Sequence, residues 1–279
     1  MKYIDISEHQ GEIDFSKVKG SVDGVMIRCG YGQNGTDKQF QRNISECNRL
    51  GIPCGVYFFS YAYTAEMAKK EALRCLAMIE PYRVELPVAF DWEYDSADYA
   101  KRCGVTPTPA LVNSMVKAFC GAIEAAGYYA MNYANPDFLS RYMTDVARYD
   151  LWLASWPKVV DVKNPPRKCG IWQWGGSTVP GIKGSVDSNE AYKDYARNIR
   201  DAGLNRLHRE APGASPRPTE KGESPRPTEE DESPRPTEEV CKDCVIELPK
   251  TVSAAEVKTV LEDVLGYMDK RFSGLLEDD

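Results

Sequence analysis

Hydrophobic and polar positions along residues 3–205 follow a repeated order, a short strand-like run and then a helical one. Strands are predicted where β-branched and aromatic residues cluster, and helices where apolar residues recur every three to four positions. The predicted strands are Tyr3–Ser7, Val25–Arg28, Val56–Ser60, Val88–Glu93 and Tyr128–Tyr133, and helical patterns such as Ala65–Ile79 and Ala110–Ala126 fall between them. This alternation predicts an α/β fold built on parallel strands.

The pattern loses its helices after residue 150. Three short strands, predicted at Leu151–Ser155, Gly170–Trp174 and Gly184–Asp187, follow one another through loops, and a closing helix is predicted at Ala191–Ala202. Eight strands with five helical crossovers predict a barrel whose last third is irregular.

The composition changes near residue 206. The six residues Ser-Pro-Arg-Pro-Thr-Glu begin at Ser215, Ser224 and Ser233, and a Pro- and charge-rich repeat of this kind cannot bury apolar surface. Residues 206–279 carry the whole net charge of −7, whereas residues 1–205 are balanced with 24 basic and 24 acidic side chains. We therefore predict a domain at 1–205, a disordered, extended linker at 206–240 and a separate segment at 241–279.

The C-terminal segment has the pattern of one amphipathic helix. Ser253 and Glu256 have the spacing of a capping box. The apolar positions that follow at helical spacing are Val257, Val260, Leu261, Val264, Leu265, Met268 and Phe272. A single tethered helix has little to pack against in its own chain, so self-association is the favoured interpretation. Packing on the main domain and binding to the cell wall are the alternatives.

Cysteine and histidine usage narrows the chemistry. Nine cysteines show no disulfide framework, and Cys241 and Cys244 form a solitary C-x-x-C that we interpret as incidental thiols. With only two histidines, His9 and His208, histidine metal sites and a Ser-His-Asp triad are disfavoured. We expect no metal and no organic cofactor. No stretch approaches a membrane span, and Asp5 interrupts the start before a signal-peptide core forms, so we expect synthesis in the cytoplasm without membrane insertion.

Two carboxylates stand at the end of the fourth predicted strand, in Phe90-Asp91-Trp92-Glu93. Side chains alternate faces along a strand, so Asp91 and Glu93 share one side. When two neighbouring acids have different environments, one can stay protonated while the other is charged. Glycosidic bond cleavage requires such a pair of carboxyl groups. A solvated strand end or a salt bridge is the ordinary alternative for either acid.

Polar residues also mark the ends of the other predicted strands. In a barrel of this class the active site lies at the carboxyl ends of the strands. Residues placed at or near such ends are Asp5, Arg28, Tyr57, Asp91, Glu93, Tyr133, Gln173 and Asp187. Their joint position predicts one site, although each of them singly has an ordinary structural explanation.

Six segments in order resemble the family 25 glycoside hydrolases, the Chalaropsis-type lysozymes of bacteria and phage endolysins. These segments are Asp5–Gly11, Gly55–Phe59, Phe90–Glu93, Leu151–Ala154, Trp172–Trp174 and Gly184–Asn189. The resemblance implies a TIM-like (β/α)5(β)3 barrel that hydrolyses the β-1,4 bond between N-acetylmuramic acid and N-acetylglucosamine in peptidoglycan.

The resemblance also implies roles for individual residues. Glu93 would be the general acid and Asp91 its charged partner, which orients the acetamido group of the sugar in a retaining, substrate-assisted reaction; an inverting route through Asp187 or Asp91 stays open. Asp5 and Asp187 would belong to the acidic site or only hold its carboxylate network. Candidates for substrate binding are Arg28, Tyr57, Phe59, Tyr133, Trp152, Gln173 and Trp174, with core packing the alternative for each aromatic residue and strand capping for Arg28.

The expected partner is the peptidoglycan glycan strand, with no nucleic acid partner and a homo-oligomer formed through the C-terminal helix. The expected role is host lysis by a phage, because the start of the chain lacks an export signal. The alternatives are an exported or prophage autolysin, a barrel that binds wall glycan without cleaving it, and a glycosidase acting on chitin-like chains. The last is disfavoured because chitinases of that type usually show the pattern D-x-x-D-x-D-x-E, and here the positions before Asp91 are Pro87 and Ala89.

Overall fold

The computed structural model describes residues 1–207, and its centre is a closed barrel of eight strands. A ninth strand, β3, has two residues and pairs only with the end of β2. The strands are β1 (Lys2–Ile6), β2 (Gly24–Tyr31), β3 (Gly35–Thr36), β4 (Cys54–Phe59), β5 (Val88–Asp91), β6 (Ala130–Ala134), β7 (Asp150–Ala154), β8 (Ile171–Ser177) and β9 (Val186–Ala191). The predicted linker and C-terminal helix lie outside the described residues, so the proposed division of the chain stays a prediction.

Helices connect the first six barrel strands. They are α1 (Phe15–Val18), α2 (Phe40–Leu50), α3 (Ala65–Ile79), α4 (Tyr94–Arg102), α5 (Pro109–Ala125) and α6 (Pro136–Arg141), and α7 (Tyr195–Asp201) follows the last strand. Their starts have local causes: the Thr64 hydroxyl accepts the amide of Met67 at 3.1 Å, and Pro109 occupies the first turn of α5. Five helical crossovers and a final run of strands confirm the predicted α/β barrel. Within residues 1–207, no helix has the length and apolar character needed to cross a membrane.

The barrel closes through the pairing of β1 with both β2 and β9. The neighbouring barrel strands from β1 to β8 are parallel, whereas β9 runs antiparallel to β8 and β1. The short β3, outside the barrel, is antiparallel to β2. The start of β9 therefore lies at the same end of the barrel as the carboxyl ends of the others. The sequence placed Asp187 near a strand's carboxyl end, at Gly184–Asp187; that boundary is wrong, since Asp187 is the second residue of a reversed strand.

Alternating side chains divide the core into two layers. Outward-facing residues such as Val88 and Phe90 pack against the helices in one hydrophobic cluster, and inward-facing residues such as Ala89 and Met131 belong to a second. The strand containing the paired acids is shorter than predicted, because β5 ends at Asp91 and Glu93 is the N-cap residue of α4.

Helix α7 closes the amino-terminal end of the barrel. Tyr195 is fully buried, and its hydroxyl donates to Asp150 at the start of β7 over 2.6 Å. A glycine is needed beside this contact: a Cβ on Gly170 would lie 1.8 Å from the Tyr195 hydroxyl. With one end closed, the barrel is open to ligands at the carboxyl ends of its strands.

Candidate active site

A cavity of about 210 Å³ lies at the carboxyl ends of the barrel strands. Of the eleven site residues predicted from the sequence, ten line it: Asp5, Arg28, Tyr57, Phe59, Asp91, Glu93, Tyr133, Trp152, Gln173 and Asp187. Trp174 is half-buried and does not belong to the lining. Four carboxyl groups and a single arginine therefore face one small space.

Strand register accounts for the meeting of these residues. Asp5 stands directly opposite Asp187 in the antiparallel pair of β1 and β9, and Asp91 is in register with Phe59 on one side and Tyr133 on the other. Like charges at directly opposed positions are unfavourable in a sheet unless the pair holds a proton. The barrel brings together acids that are 182 residues apart in the chain.

Asp91 and Glu93 are fixed by the residue between them. Trp92 is 1% exposed, and its indole N–H donates to the Ala62 carbonyl at 3.0 Å. Beyond it, Glu93 keeps extended backbone, with φ −125° and ψ −165°, and its amide donates to the Ser96 hydroxyl at 3.1 Å. Because side chains alternate, Trp92 packs in the outer core, and the carboxyl groups of Asp91 and Glu93 face the cavity.

Asp91 is buried without a full set of hydrogen-bond donors. Its side chain is 4% exposed, and Oδ1 has no hydrogen-bond partner among the described residues. Burial raises the pKa of Asp91 well above its usual range, the charges of Glu93 and Asp5 raise it further, and Arg28 opposes the shift. A carboxylate in this position gains stability from a hydrogen-bond donor that enters the cavity.

The other three acids also have raised pKa values. Burial, followed by the charges of Asp95 and Asp187, raises the pKa of Glu93 to about 7. Burial and the Asp187 charge raise the pKa of Asp5 to about 7, and burial raises that of Asp187. The protons of such a cluster are shared, so at neutral pH the site holds protons that four solvated acids would have lost.

Two side-chain amides orient Asp5. Its Oδ2 accepts from Asn189 Nδ2 at 2.8 Å and from Gln173 Nε2 at 3.1 Å, and these bonds favour its charged form. Each amide oxygen accepts in turn from the cavity wall: Asn189 Oδ1 from the Trp152 indole at 2.7 Å, and Gln173 Oε1 from the Tyr133 hydroxyl at 3.1 Å. The geometry of Asp5 is thus determined by four connected side chains.

Arg28 is already committed to other acids. Its Nε donates to Asp37 Oδ2 at 2.9 Å and its second amino group to Glu8 Oε1 at 3.1 Å. Asp37 is fully buried at its side chain, so this pair fixes the guanidinium beside the cavity. The one arginine of the lining therefore does not neutralise the four carboxyl groups.

The aromatic lining forms a packed floor rather than open faces. Trp152 is 1% exposed and packs edge-on against Tyr57 and Tyr133, with ring centroids 5.8 and 4.9 Å away. Burial raises the pKa of both tyrosines, so their hydroxyls stay protonated and can donate. Core packing, the alternative weighed for each aromatic residue, describes Trp152.

A family model of the glycosyl hydrolases family 25 matches residues 4–182, which is more than half of the chain. The chain belongs to glycoside hydrolase family 25. Members of this family are glycoside hydrolases, and a cavity lined by paired carboxyl groups with raised pKa values fits that class of enzyme. The match ends before β9, so the identification does not depend on Asp187.

Solved structures agree with the family assignment. The modular autolysin LytC from Streptococcus pneumoniae is 32% identical with a TM-score of 0.58, over 67% of this chain and 46% of its own. The catalytic domain of endolysin ply40 from a Listeria monocytogenes bacteriophage shares 19% identity over 71% of this chain and 96% of its own, with a TM-score of 0.61. The Streptomyces coelicolor lysozyme shares 22% over 75% and 98%, with a TM-score of 0.57.

This chain therefore spans less than half the length of the pneumococcal autolysin. The two structures under 25% identity show the fold alone. A search of curated proteins finds no match.

Sequence reasoning missed three lining residues of this family 25 site, Ser7, His9 and Gln10. They follow β1 in a short 3-10 turn, in which the Ser7 amide donates to Gln10 Oε1 at 2.8 Å. The segment Asp5–Gly11 was noted for its motif, yet only Asp5 was chosen from it. The signal was the polar run itself, directly after a strand that supplies an acid.

Proposed function

We propose that this family 25 enzyme is an N-acetylmuramidase, which hydrolyses the β-1,4 bond between N-acetylmuramic acid and N-acetylglucosamine in peptidoglycan. The observation that carries the proposal is the pairing of Asp91 and Glu93 in one cavity with raised pKa values for both. The pneumococcal autolysin has been solved in complex with a synthetic peptidoglycan ligand, and this supports the same substrate class for this chain.

Glu93 acts as the general acid. Its pKa of about 7 keeps a large share of the carboxyl group protonated at neutral pH, and its position at the start of α4 leaves it half-buried rather than enclosed. The proton passes to the glycosidic oxygen as the bond from that oxygen to C1 of the sugar breaks. The leaving sugar departs as a neutral alcohol.

Asp91 orients the internal nucleophile. In the substrate-assisted route, the acetamido carbonyl oxygen of the sugar attacks C1 and forms an oxazolinium ion, while the acetamido N–H donates to Asp91. Oδ1 of Asp91, which lacks a partner among the described residues, is the acceptor for that hydrogen bond. Water then adds to C1 as the bond from C1 to the acetamido oxygen breaks, and the water gives its proton to Glu93, so that the anomeric configuration is retained and the acid is restored.

The first test is digestion of purified peptidoglycan, followed by reduction of the products and mass spectrometry. We expect reducible muramic acid ends from the wild type and a loss of about a hundredfold or more in Glu93→Gln, the effect of removing a general acid. The matched control is Glu46→Gln, in α2 and outside the cavity lining, where the carboxylate pairs with Arg49, and it should keep full activity.

Two results would contradict the proposal. Equal activity in the wild type and Glu93→Gln would remove Glu93 as the acid. Binding of glycan strands without release of new ends would favour a barrel that binds wall glycan and does not cleave it.

We propose further that the enzyme serves host lysis by a phage and reaches the wall after release from the cytoplasm. Endolysins are among the proteins of similar fold, and this supports the role without deciding it. The pneumococcal autolysin represents the rival role, wall turnover by the bacterium itself.

We propose a second copy of the chain as the partner of residues 241–279. The support is the sequence pattern alone, a capped apolar stripe after a Pro-rich repeat. Deletion of residues 241–279 should lower the mass measured by light scattering and leave the far-ultraviolet circular dichroism of the barrel and its hydrolytic activity in place. An unchanged mass would remove the self-association hypothesis.

A further inference from the structure

Trp156 is an exposed tryptophan at the catalytic end of the barrel. It lies two residues beyond the end of β7, and 58% of it is exposed, whereas Trp92, Trp152 and Trp172 are each 1% exposed. Single exposed apolar residues are common on protein surfaces and need no function. Trp156 differs from such a residue because the protein holds it in place.

The residue before Trp156, Ser155, is held by hydrogen bonds at both its amide and its carbonyl group. The Ser155 amide donates to the Gln173 carbonyl at 3.0 Å, and the Ser155 carbonyl accepts from the Trp172 indole at 2.8 Å. The Trp156 indole N–H itself donates to Gln173 Oε1 at 3.1 Å. A large aromatic face is therefore presented to solvent with its edge fixed, which lowers the entropy lost when a ligand covers it.

The same hydrogen bond connects Trp156 to the catalytic cavity. Gln173 lines that cavity and donates to Asp5 at 3.1 Å, so one side chain separates the indole from a site carboxyl group. Trp156 itself does not line the cavity, and its indole is attached to the cavity wall through this one hydrogen bond.

The strand order places a second surface across the barrel mouth. Around the ring of eight strands, β2 and β4 lie four positions from β7 and β8, so they are diametrically opposed. On that opposite side, Arg28 and Phe59 line both the catalytic cavity and an adjoining cavity of about 310 Å³, which also contains Tyr31 and Tyr61. The acids lie between these two sides.

The catalytic cavity is too small to hold a polysaccharide segment. Its volume of about 210 Å³ is below the roughly 300–1,000 Å³ of pockets that enclose drug-sized ligands. A glycan strand cleaved inside it must therefore extend over the rim, and Trp156 provides an aromatic surface on the β7 side.

We propose that Trp156 is a saccharide-binding residue, on which a sugar of the glycan strand next to the cleaved disaccharide stacks through its C–H face. This inference rests on the proposed muramidase function. The glycan then crosses the barrel mouth from the Tyr31 and Tyr61 side to the β7 side. Trp156 binds the strand, and it takes no part in proton transfer.

Steady-state kinetics on long, uncrosslinked glycan strands test the proposal. Trp156→Ala should raise KM about five- to tenfold, the effect of losing one aromatic contact, and change kcat less than threefold. Trp156→Phe keeps a ring and loses the bond to Gln173, so its KM should stay within about threefold of the wild type. Val159→Ala is the control, because Val159 is 83% exposed in the same loop and does not line the cavity.

A binding measurement separates this inference from the function on which it rests. In the inactive Glu93→Gln protein, a tetrasaccharide of alternating N-acetylglucosamine and N-acetylmuramic acid should change the tryptophan fluorescence, and the change should disappear in Glu93→Gln with Trp156→Phe.

Failure of the wild type to release muramic acid ends would remove both the function and the inference. Hydrolysis by the wild type, together with an unchanged KM in folded Trp156→Ala and a fluorescence change that persists without Trp156, would remove the inference alone.

Discussion

The two ends of the barrel surround the carboxyl group of a strand residue in opposite ways. At the amino-terminal end, Asp150 Oδ2 accepts from Tyr195 and Lys193 at 2.6 Å each and from Tyr129 at 3.1 Å. At the carboxyl end, Asp91 has an oxygen with no partner among the described residues and lies among further acids. Both residues belong to barrel strands, but Asp150 is the first residue of β7 and Asp91 is the last residue of β5.

The size of a cavity does not indicate which end of the barrel contains the paired acids. A cavity of about 580 Å³ that includes Asp150 is larger than the one of about 210 Å³ that contains the paired acids. In the larger cavity the carboxylate is satisfied by an ammonium group and two hydroxyls, so it stabilises the fold. In the smaller one, Asp91 lacks a donor for one oxygen, and the pKa values of the acids are raised. In the proposed mechanism, these unfavourable features let the carboxyl groups exchange protons and accept a hydrogen bond from the substrate.

Asp91→Asn gives the largest effect predicted from this contrast. We expect kcat to fall about a hundredfold or more, because the amide cannot orient and stabilise the acetamido group as a carboxylate does. The folded protein should be at least as stable as the wild type, since a buried, unpaired acid is replaced by a neutral group. Hydrolysis of peptidoglycan and thermal unfolding, measured on the same preparation, check both halves.

A decrease in the stability of Asp91→Asn would contradict the proposed difference between the two ends of the barrel. A large loss of unfolding free energy in Asp91→Asn would mean that the carboxylate is held for the fold, as Asp150 is, and the activity loss would then carry no mechanistic weight.

Asp150→Asn should show the reverse behaviour. The amide oxygen can take the place of Oδ2, which accepts from Tyr129, Tyr195 and Lys193, but the amide nitrogen then faces the Leu151 N–H that Oδ1 accepts at 3.2 Å, and the ion pair with Lys193 is lost. We therefore expect a loss of about 2–3 kcal/mol and a melting temperature lower by roughly 5–10 °C. The kcat of the folded fraction should stay within about twofold of the wild type. Tyr195→Phe, which removes one donor, is the graded control with about 1 kcal/mol. A hundredfold loss of kcat at a temperature where Asp150→Asn is folded would contradict this prediction, because it would show that Asp150 also affects catalysis at the other end of the barrel.

The sequence identified most of the site because strand-end polarity is a local signal. Asp5, Asp91 and Gln173 could be placed at one end of a barrel from alternation alone, and the parallel strands then brought them together. The barrel class followed from the same periodicity.

What could not be predicted depends on contacts between distant segments. The reversal of β9, which carries Asp187 to the site from a strand's start, is set by pairing with β1, across more than 180 residues. Trp174 was chosen with Gln173 as part of one motif, yet neighbouring residues on a strand face opposite sides. Trp156 cannot be assigned to the site from the sequence, because the hydrogen bond that attaches it to Gln173 exists only in the folded barrel.

The smallest predicted effect is a pH dependence of stability that belongs to the catalytic end. The folded protein raises the pKa of Glu93 from 4.5 to about 7, so between these values it binds a proton that the unfolded chain has lost. The stabilising contribution of that proton is complete below pH 4.5 and disappears as the pH rises through 7.

Glu93→Gln is neutral at every pH, so its stability relative to the wild type should increase between pH 5 and pH 8, by about 1–2 kcal/mol. Urea unfolding at both pH values measures the difference. Glu46→Gln should show no such increase, because the pKa of Glu46 is lowered by Arg49 and its carboxylate stays ionised throughout. A difference for Glu93→Gln that is constant or shrinks towards pH 8 would show that Glu93 releases its proton as readily in the folded protein as in the unfolded chain.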